Sequence, residues 1–171
     1  KYDPNSDKPF IMSRSKIDLY LKCKRCAYLD MRLGIKAPKP FPYNLNSRID
    51  TLLKNEFDIA RKNKEQTIYQ KEANINAIPF SHPELDVWRE PFKAARFHHK
   101  DTNITVAGSV DDLWENLDTK KLSVVDYKST FSENFDKIKS FDAPYLIGYK
   151  RQAEIYSWIL SKLGLDIDNT S

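Results

Sequence analysis

The stretch NITVAGSVDDLWENLDTKKLSVVDYKST, residues 103–130, decides the fold. Two runs rich in β-branched and aromatic residues, 103–114 and 121–130, flank a short polar link at 115–121. That pattern predicts two strands and a hairpin. Upstream, FKAARFHH at 92–99 reads as a further strand, with a turn at 100–103. Links this short favour antiparallel neighbours, so a three-stranded antiparallel meander is expected. In the last run Ser123, Val124, Val125 and Tyr127 suit a pleated strand, but Asp126 and Lys128 add opposite charges on the face of Val124. A buried lone charge is costly. An internal ion pair is the plain account of one such D-x-K, and the surroundings must supply any other.

Outward from the meander the chain reads as helical. SRSKIDLYLKCKRCAYLDMRLG, 13–34, has a serine start, Ile17, Tyr20, Leu21 and Tyr28 at helical spacing, and Gly34 as a stop. The prolines of KAPKPFPYN, 36–44, make a loop. A helix over 46–62 follows, with Leu45, Ile49, Leu52, Leu53, Phe57 and Ala60 as its apolar stripe. At about 100° per residue the stripe centres near Glu56, leaves Asp50 at its edge and turns Lys54, Asp58 and Lys62 away. QTIYQKEANINAI, 66–78, reads as a short strand, HPELDVWREP, 82–91, as a loop or helical turn, and SENFDKIKSFDAP, 132–144, as a polar connection. YLIGYKRQAEIYSWILSKLG, 145–164, is a closing helix with Gly164 as its stop. The expected architecture is α+β in one domain over 13–171, after a flexible lead-in at 1–12.

Composition narrows the function. The 171 residues carry 40% hydrophobic and 30% charged residues and a formal charge of +4, which permits a nucleic-acid partner without requiring one. Four glycines cannot build a P-loop or a dinucleotide fingerprint. No apolar run approaches a membrane span, the opening KYDPNSDKPF lacks a signal-peptide core, and two cysteines are too few for a disulfide framework. An intracellular protein is expected.

The meander also places Asp111 and Asp112 in the run before the hairpin that leads to Asp126. Adjacent antiparallel strands bring such carboxylates together. Their repulsion is relieved by a divalent cation, and hard carboxylate oxygens suit Mg²⁺ or Mn²⁺. Glu56, facing inward, is a candidate third carboxylate, and Lys128 stands beside the ion and its water. These are the parts of metal-assisted phosphodiester hydrolysis. In the last helix Gln152 and Tyr156 share a face, suited to holding a substrate nucleotide, with Lys150 and Arg151 beside them to grip phosphates.

The ordered set GSVD, VVDYK and QAEIY resembles the PD-(D/E)xK nuclease superfamily, in particular its RecB-like exonuclease branch, which shows G-x-[IV]-D, D-x-K and Q-x-x-x-Y in that order. The opening helix is similar to the branch's S-x-S and Y-L-x-C-P pattern, with Lys24 where the branch has proline. The resemblance spans about residues 13 to 164. It implies a restriction-endonuclease-like core with a mixed sheet flanked by helices, and a metal-dependent deoxyribonuclease. It also implies DNA as partner, in a repair, phage or defence setting. On it, Asp111 rather than Asp112 is the first metal ligand, Asp126 the second and the Tyr127 carbonyl a third. Lys128 is then the catalytic lysine, Gln152 and Tyr156 form the substrate motif, and Glu56 is the early-helix acid. Branch members often carry a histidine earlier in that helix; this chain has Asp50. The family core usually closes with a strand after the Gln–Tyr helix, and here only LDIDNTS follows. Some members hold an iron–sulfur cluster on four cysteines; with Cys23 and Cys26 alone none is expected from this chain. The alternative is a non-catalytic DNA-binding or scaffold module that keeps the nuclease fold. His82, His98 and His99 read as surface residues, and Trp88, Trp114 and Trp158 as packing residues.

Overall fold

The computed structural model describes residues 1–38, 44–128 and 146–168. The expected connection at 132–144 lies outside them. Among the described residues, six strands and six α-helices form an α+β arrangement. They are β1 (Phe10–Ser13), α1 (Arg14–Lys22), α2 (Lys24–Tyr28), α3 (Asn44–Asn63), α4 (Ile68–Glu72), β2 (Ala77–Pro79), α5 (Leu85–Arg89), β3 (Ala95–His99), β4 (Ile104–Gly108), β5 (Asp112–Asn116), β6 (Leu122–Val125) and α6 (Ile147–Lys162).

The meander is only partly as expected. Both hairpins form: β3 pairs antiparallel with β4, and β5 with β6. They belong to two sheets, however, ordered β1-β4-β3 and β2-β5-β6. The run 103–114 breaks at 109–111 because α5 takes over its backbone hydrogen bonds. The Val110 N–H donates to the Trp88 carbonyl at 3.2 Å, and Arg89 Nε donates to the Asp111 carbonyl at 2.8 Å. A backbone so satisfied needs no strand partner. The first sheet is mixed, since β1, inside the expected lead-in, runs parallel to β4 from Phe10↔Ile104 to Ser13↔Ala107.

The helices also differ in detail from the expected ones. Cys23, extended at φ −156°, divides the first helix, and its Sγ accepts the Cys26 N–H at 3.2 Å to cap α2. A π-helical turn, Leu29–Leu33, then ends at Gly34, which is left-handed at φ 77°. Residues 66–78 begin not as a strand but as α4, which a Thr67–Gln70 capping box initiates; only Ala77–Pro79 is extended.

The core lies between α6 and both sheets: Ile159 and Leu160 pack with Ala95, Val110, Leu113 and Leu122. Beyond α6, Ile167 pairs parallel with Leu122, its neighbours closing bonds of 2.9 Å (Leu122 N–H to Asp166 O) and 2.8 Å (Asp168 N–H to Leu122 O). The segment after the Gln–Tyr helix thus makes an isolated parallel bridge beside β6. Trp114 stacks on Phe57, Trp158 meets Phe97 edge-on and His82 stacks on Trp88, as packing residues do. His98 and His99 bond Thr105 and Thr102. Among the described residues, no helix is long and apolar enough to cross a membrane.

Two contacts set the layers. Gly108 meets Tyr156 of α6 so closely that a β-carbon there would stand 2.3 Å from the ring. Asp112, fully buried, ion-pairs with Arg61 of α3 and accepts the Tyr127 hydroxyl at 2.6 Å and its neighbour's N–H at 2.7 Å. Arg89 stands 3.8 Å away and bonds Asp58 of α3 at 3.0 Å. Removing one partner of a buried pair leaves a charge uncompensated, so Arg61→Met is expected to cost about 3–5 kcal/mol, read by urea denaturation. Gly108→Ala forces the Tyr156 ring to move and is expected to cost about 1–3 kcal/mol by the same measurement.

Candidate active site

Strand β6 ends at Val125, so Asp126, Tyr127 and Lys128 follow it rather than extend it. They are held by side chains instead. The Tyr127 N–H donates to Asp111 Oδ2 at 3.0 Å while its hydroxyl reaches Asp112, so one residue grips two consecutive aspartates. Asp112 is thereby committed to the interior and Asp111 is delivered to a cavity.

That cavity, of about 420 Å³, is lined by Asp50, Asp111, Asp126, Lys128, Gln152 and Tyr156, among others. Five of the residues expected at the site, and Tyr127, therefore meet in one place. Glu56 does not line it. Among the described side chains of α3 the buried ones are Phe57 and Ala60, while Leu52 is 68% exposed and Ile59 61% exposed. With Leu52 in solvent the buried face centres on Phe57, not Glu56. At about 100° per residue, Lys54 then lies about 60° from Phe57 on one side and Glu56 about 100° on the other. So Lys54, expected to point away, instead binds Asp111 at 2.8 Å and Asp50 at 2.9 Å. Asp58, also expected outward, joins the Arg61–Arg89 network. Lys150 is exposed on α6 and outside the cavity lining, and Arg151 bonds Asp18 of α1 at 2.5 Å.

Gln152 is fixed from both ends. Its carbonyl oxygen accepts from the Arg14 guanidinium, and its amide nitrogen donates to Asp126 Oδ1 at 2.5 Å and to the Tyr156 hydroxyl at 3.3 Å. Arg14 is itself braced by Asp18 at 2.8 Å. The amide is therefore aimed at the carboxylate and cannot turn over without losing the arginine. Lys128 ion-pairs with the other oxygen of Asp126 and lies 5.7 Å from the Tyr149 ring centre.

The electrostatics follow from burial. Asp126 holds its proton above the ordinary carboxylate range, mainly because it is desolvated; Lys128 opposes the shift and nearby Asp111 adds to it. Burial works to lower the Lys54 ammonium, but Asp111 and Asp50 outweigh it and hold the group above its usual value. Burial also pushes the Tyr127 and Tyr156 hydroxyls up, so both stay protonated; the first donates to Asp112 and the second accepts from the Gln152 amide.

The donor set suits a hard divalent cation. Among the described residues, Lys54 and the Tyr127 N–H bond the two oxygens of Asp111, and Gln152 and Lys128 bond those of Asp126; a carboxylate oxygen has a second lone pair to offer an ion. Among the described residues, no three His, Cys, Asp or Glu side chains gather as a ready-made metal cage. Mg²⁺ does not need one: it usually takes one or two carboxylates and fills its octahedron with waters and substrate phosphate. Cys23 and Cys26 are free thiols.

Lys54, Asp50 and Arg14 were not anticipated here. The i, i+4 spacing of Asp50 and Lys54 was the available signal, since such a pair shares one helix face. No protein family, curated protein or solved structure matches the chain.

The raised Asp126 has a consequence for stability. A carboxyl that binds its proton more tightly in the folded than in the unfolded chain adds stability only at low pH, and that stability is lost as pH rises through its folded value. Asp126→Asn is therefore expected to raise the thermal midpoint at pH 7. The gain should shrink as pH falls toward the ordinary carboxylate value of about 4. Melting curves of both proteins across that range check it.

Proposed function

We propose that the chain is a divalent-metal-dependent nuclease that hydrolyses DNA phosphodiester bonds, with a restriction-endonuclease-like core of the RecB-like exonuclease branch. The observation that carries this reading is the meeting of Asp111, Asp126, Lys128, Gln152 and Tyr156 in one cavity, from separate elements and in the order of the three motifs. Nothing in a plain ion pair between Asp126 and Lys128 requires the other three.

Asp111, Asp126 and the Tyr127 carbonyl would hold Mg²⁺ or Mn²⁺, which when bound polarises the phosphate and lowers the pKa of a bound water. The rest is the work of side chains. The Lys128 ammonium orients the attacking water and offsets negative charge growing on the phosphate. Gln152, clamped by Arg14, keeps the Asp126 carboxylate in one orientation and offers its amide edge to the substrate strand. Tyr156 fixes Gln152 and closes the cavity floor against Gly108.

One observation favours the alternative of a non-catalytic DNA-binding module: Lys54 and Lys128 already pair with both carboxylates, so protein groups alone can satisfy them. Metal and cleavage separate the readings. The nuclease is expected to gain thermal stability from Mn²⁺ and to cut DNA in Mn²⁺ or Mg²⁺ but not in EDTA. Lys128→Ala is expected to lose about 10²–10⁴-fold in cleavage rate while keeping the Mn²⁺ shift. Cleavage unchanged in Lys128→Ala removes the lysine from the mechanism. Absence of both the Mn²⁺ shift and cleavage in the wild-type protein leaves the binding module.

A further inference from the structure

A second cavity, of about 390 Å³, adjoins the first and shares Ser109 and Tyr156 with it. Its walls come from β1, the start of α1, β4 and the turn between α5 and β3. They include Ser13, Arg14, Ser15, Phe92 and Arg96, and no carboxylate. The contrast with its neighbour is chemical: one cavity gathers aspartates, while the polar groups of the other are guanidinium and hydroxyl, set among apolar and aromatic side chains. We propose that this second cavity is the subsite for the nucleotide flanking the scissile phosphate, taken as an unpaired nucleotide of single-stranded DNA. The proposal rests on the nuclease reading for which phosphate is the scissile one, but not for the binding itself.

Charge and shape select that occupant. Arg96 is exposed on β3 and, among the described residues, has no carboxylate partner; its guanidinium donates to the Phe92 carbonyl. A charged guanidinium with spare donors at the mouth of an acid-free cavity suits a phosphate. The Ser13 and Ser15 hydroxyls, 2.9 Å apart, add neutral donors on the same wall. Phe92 is 90% exposed. It is nonetheless presented by a fixed turn. The Lys93 and Ala94 N–H groups both donate to the Glu90 carbonyl, at 3.1 and 2.9 Å, and buried Ala94 is held in the left-handed region at φ 49°, unfavourable for a residue with a β-carbon. An exposed aromatic ring carried by a hydrogen-bonded turn at the rim of such a cavity can serve as a stacking platform for a base. A base inside a duplex offers no free face to it. The cavity lies in the range of pockets that enclose one small ligand, roughly 300–1,000 Å³, too little for a base pair with its backbones.

Fluorescence anisotropy of a dye-labelled single-stranded oligonucleotide tests the subsite, with Ca²⁺ as the divalent ion. Phe92 and Arg96 are exposed, so Phe92→Ala and Arg96→Ala leave the fold intact. Each is expected to weaken binding about tenfold. Arg96→Ala should also lower the salt slope of log K by about 1, as loss of one phosphate contact does. Phe92→Trp should bind at least as well as the wild type. Wild-type affinity in both alanine variants, or no binding of single strands by the wild-type protein, overturns the subsite. A cleavage assay on the same proteins reads the nuclease proposal separately. Cutting with unchanged binding in the variants rejects the subsite alone; variant-sensitive binding without cutting rejects the nuclease alone and upholds the subsite.

Discussion

The buried charge of Asp112 is the constraint on which the rest of the structure depends. A carboxylate with no solvent contact is tolerated only when its oxygens are bonded, and here the bonds come from three parts of the chain, Arg61 in α3, Tyr127 after β6 and the backbone of β5, with the Arg89 guanidinium of α5 3.8 Å away as a further ion-pair partner. Such a cluster contributes little net stability compared with an apolar core, because desolvating the ions offsets most of their attraction. What it contributes is register. Shift β5 by one residue and the aspartate leaves its arginines, so the arrangement that satisfies Asp112 also decides which way Asp111 faces. Since Tyr127 bonds both aspartates, the chain after β6 is positioned by the same cluster.

Against this frame the cavity residues are held under tension. Asp126 is desolvated, resists ionisation and has Asp111 close by, an arrangement that stability alone would not select. The surroundings over-determine it: Gln152 is pinned by Arg14, Arg14 by Asp18, and Asp18 also takes Arg151. Tyr156 stands on a glycine because nothing larger fits. A poised polar group supported by several others that point at it is what a functional site looks like physically, and perturbed carboxyls concentrate there.

Much of this was legible in the sequence because it is local. Hairpin turns, glycine stops and the three motifs each depend on residues close together in the chain, and they locate Asp111, Asp126, Lys128, Gln152 and Tyr156. What was not legible depends on partners far along the chain. Strand β1 is four residues long and extended only because β4, over ninety positions away, accepts it as a parallel neighbour. The break at 109–111 has no sequence mark of its own; it follows from the Trp88 carbonyl and the Arg89 side chain. The orientation of α3 differs from the expected one because Leu52, an apolar member of the expected stripe, is exposed; including it turns the stripe toward Glu56 and away from Lys54. Periodicity gives the width of a buried face but cannot say which apolar residue lies outside it.

The placement of Lys54 bears on how the proposed metal-dependent site would handle an anionic substrate. Around the first cavity stand the carboxylates of Asp50, Asp111 and Asp126 and the ammonium groups of Lys54 and Lys128. The balance with every group ionised is one net negative charge, which repels a phosphodiester. One divalent ion reverses that sign and leaves the cavity attractive to a single phosphate. Without the lysines the same ion would only neutralise most of the aspartate charge. Without the ion the lysines leave the cavity negative. The two kinds of cation are therefore complementary: the lysines bring the acidic cluster close enough to neutrality for one metal ion to decide the sign. The neighbouring cavity, lined by no carboxylate, needs no such device, and the Arg96 guanidinium favours a phosphate whether or not metal is bound. On the proposed reading, that difference is the physical basis for expecting strand binding and strand cleavage to respond separately to metal.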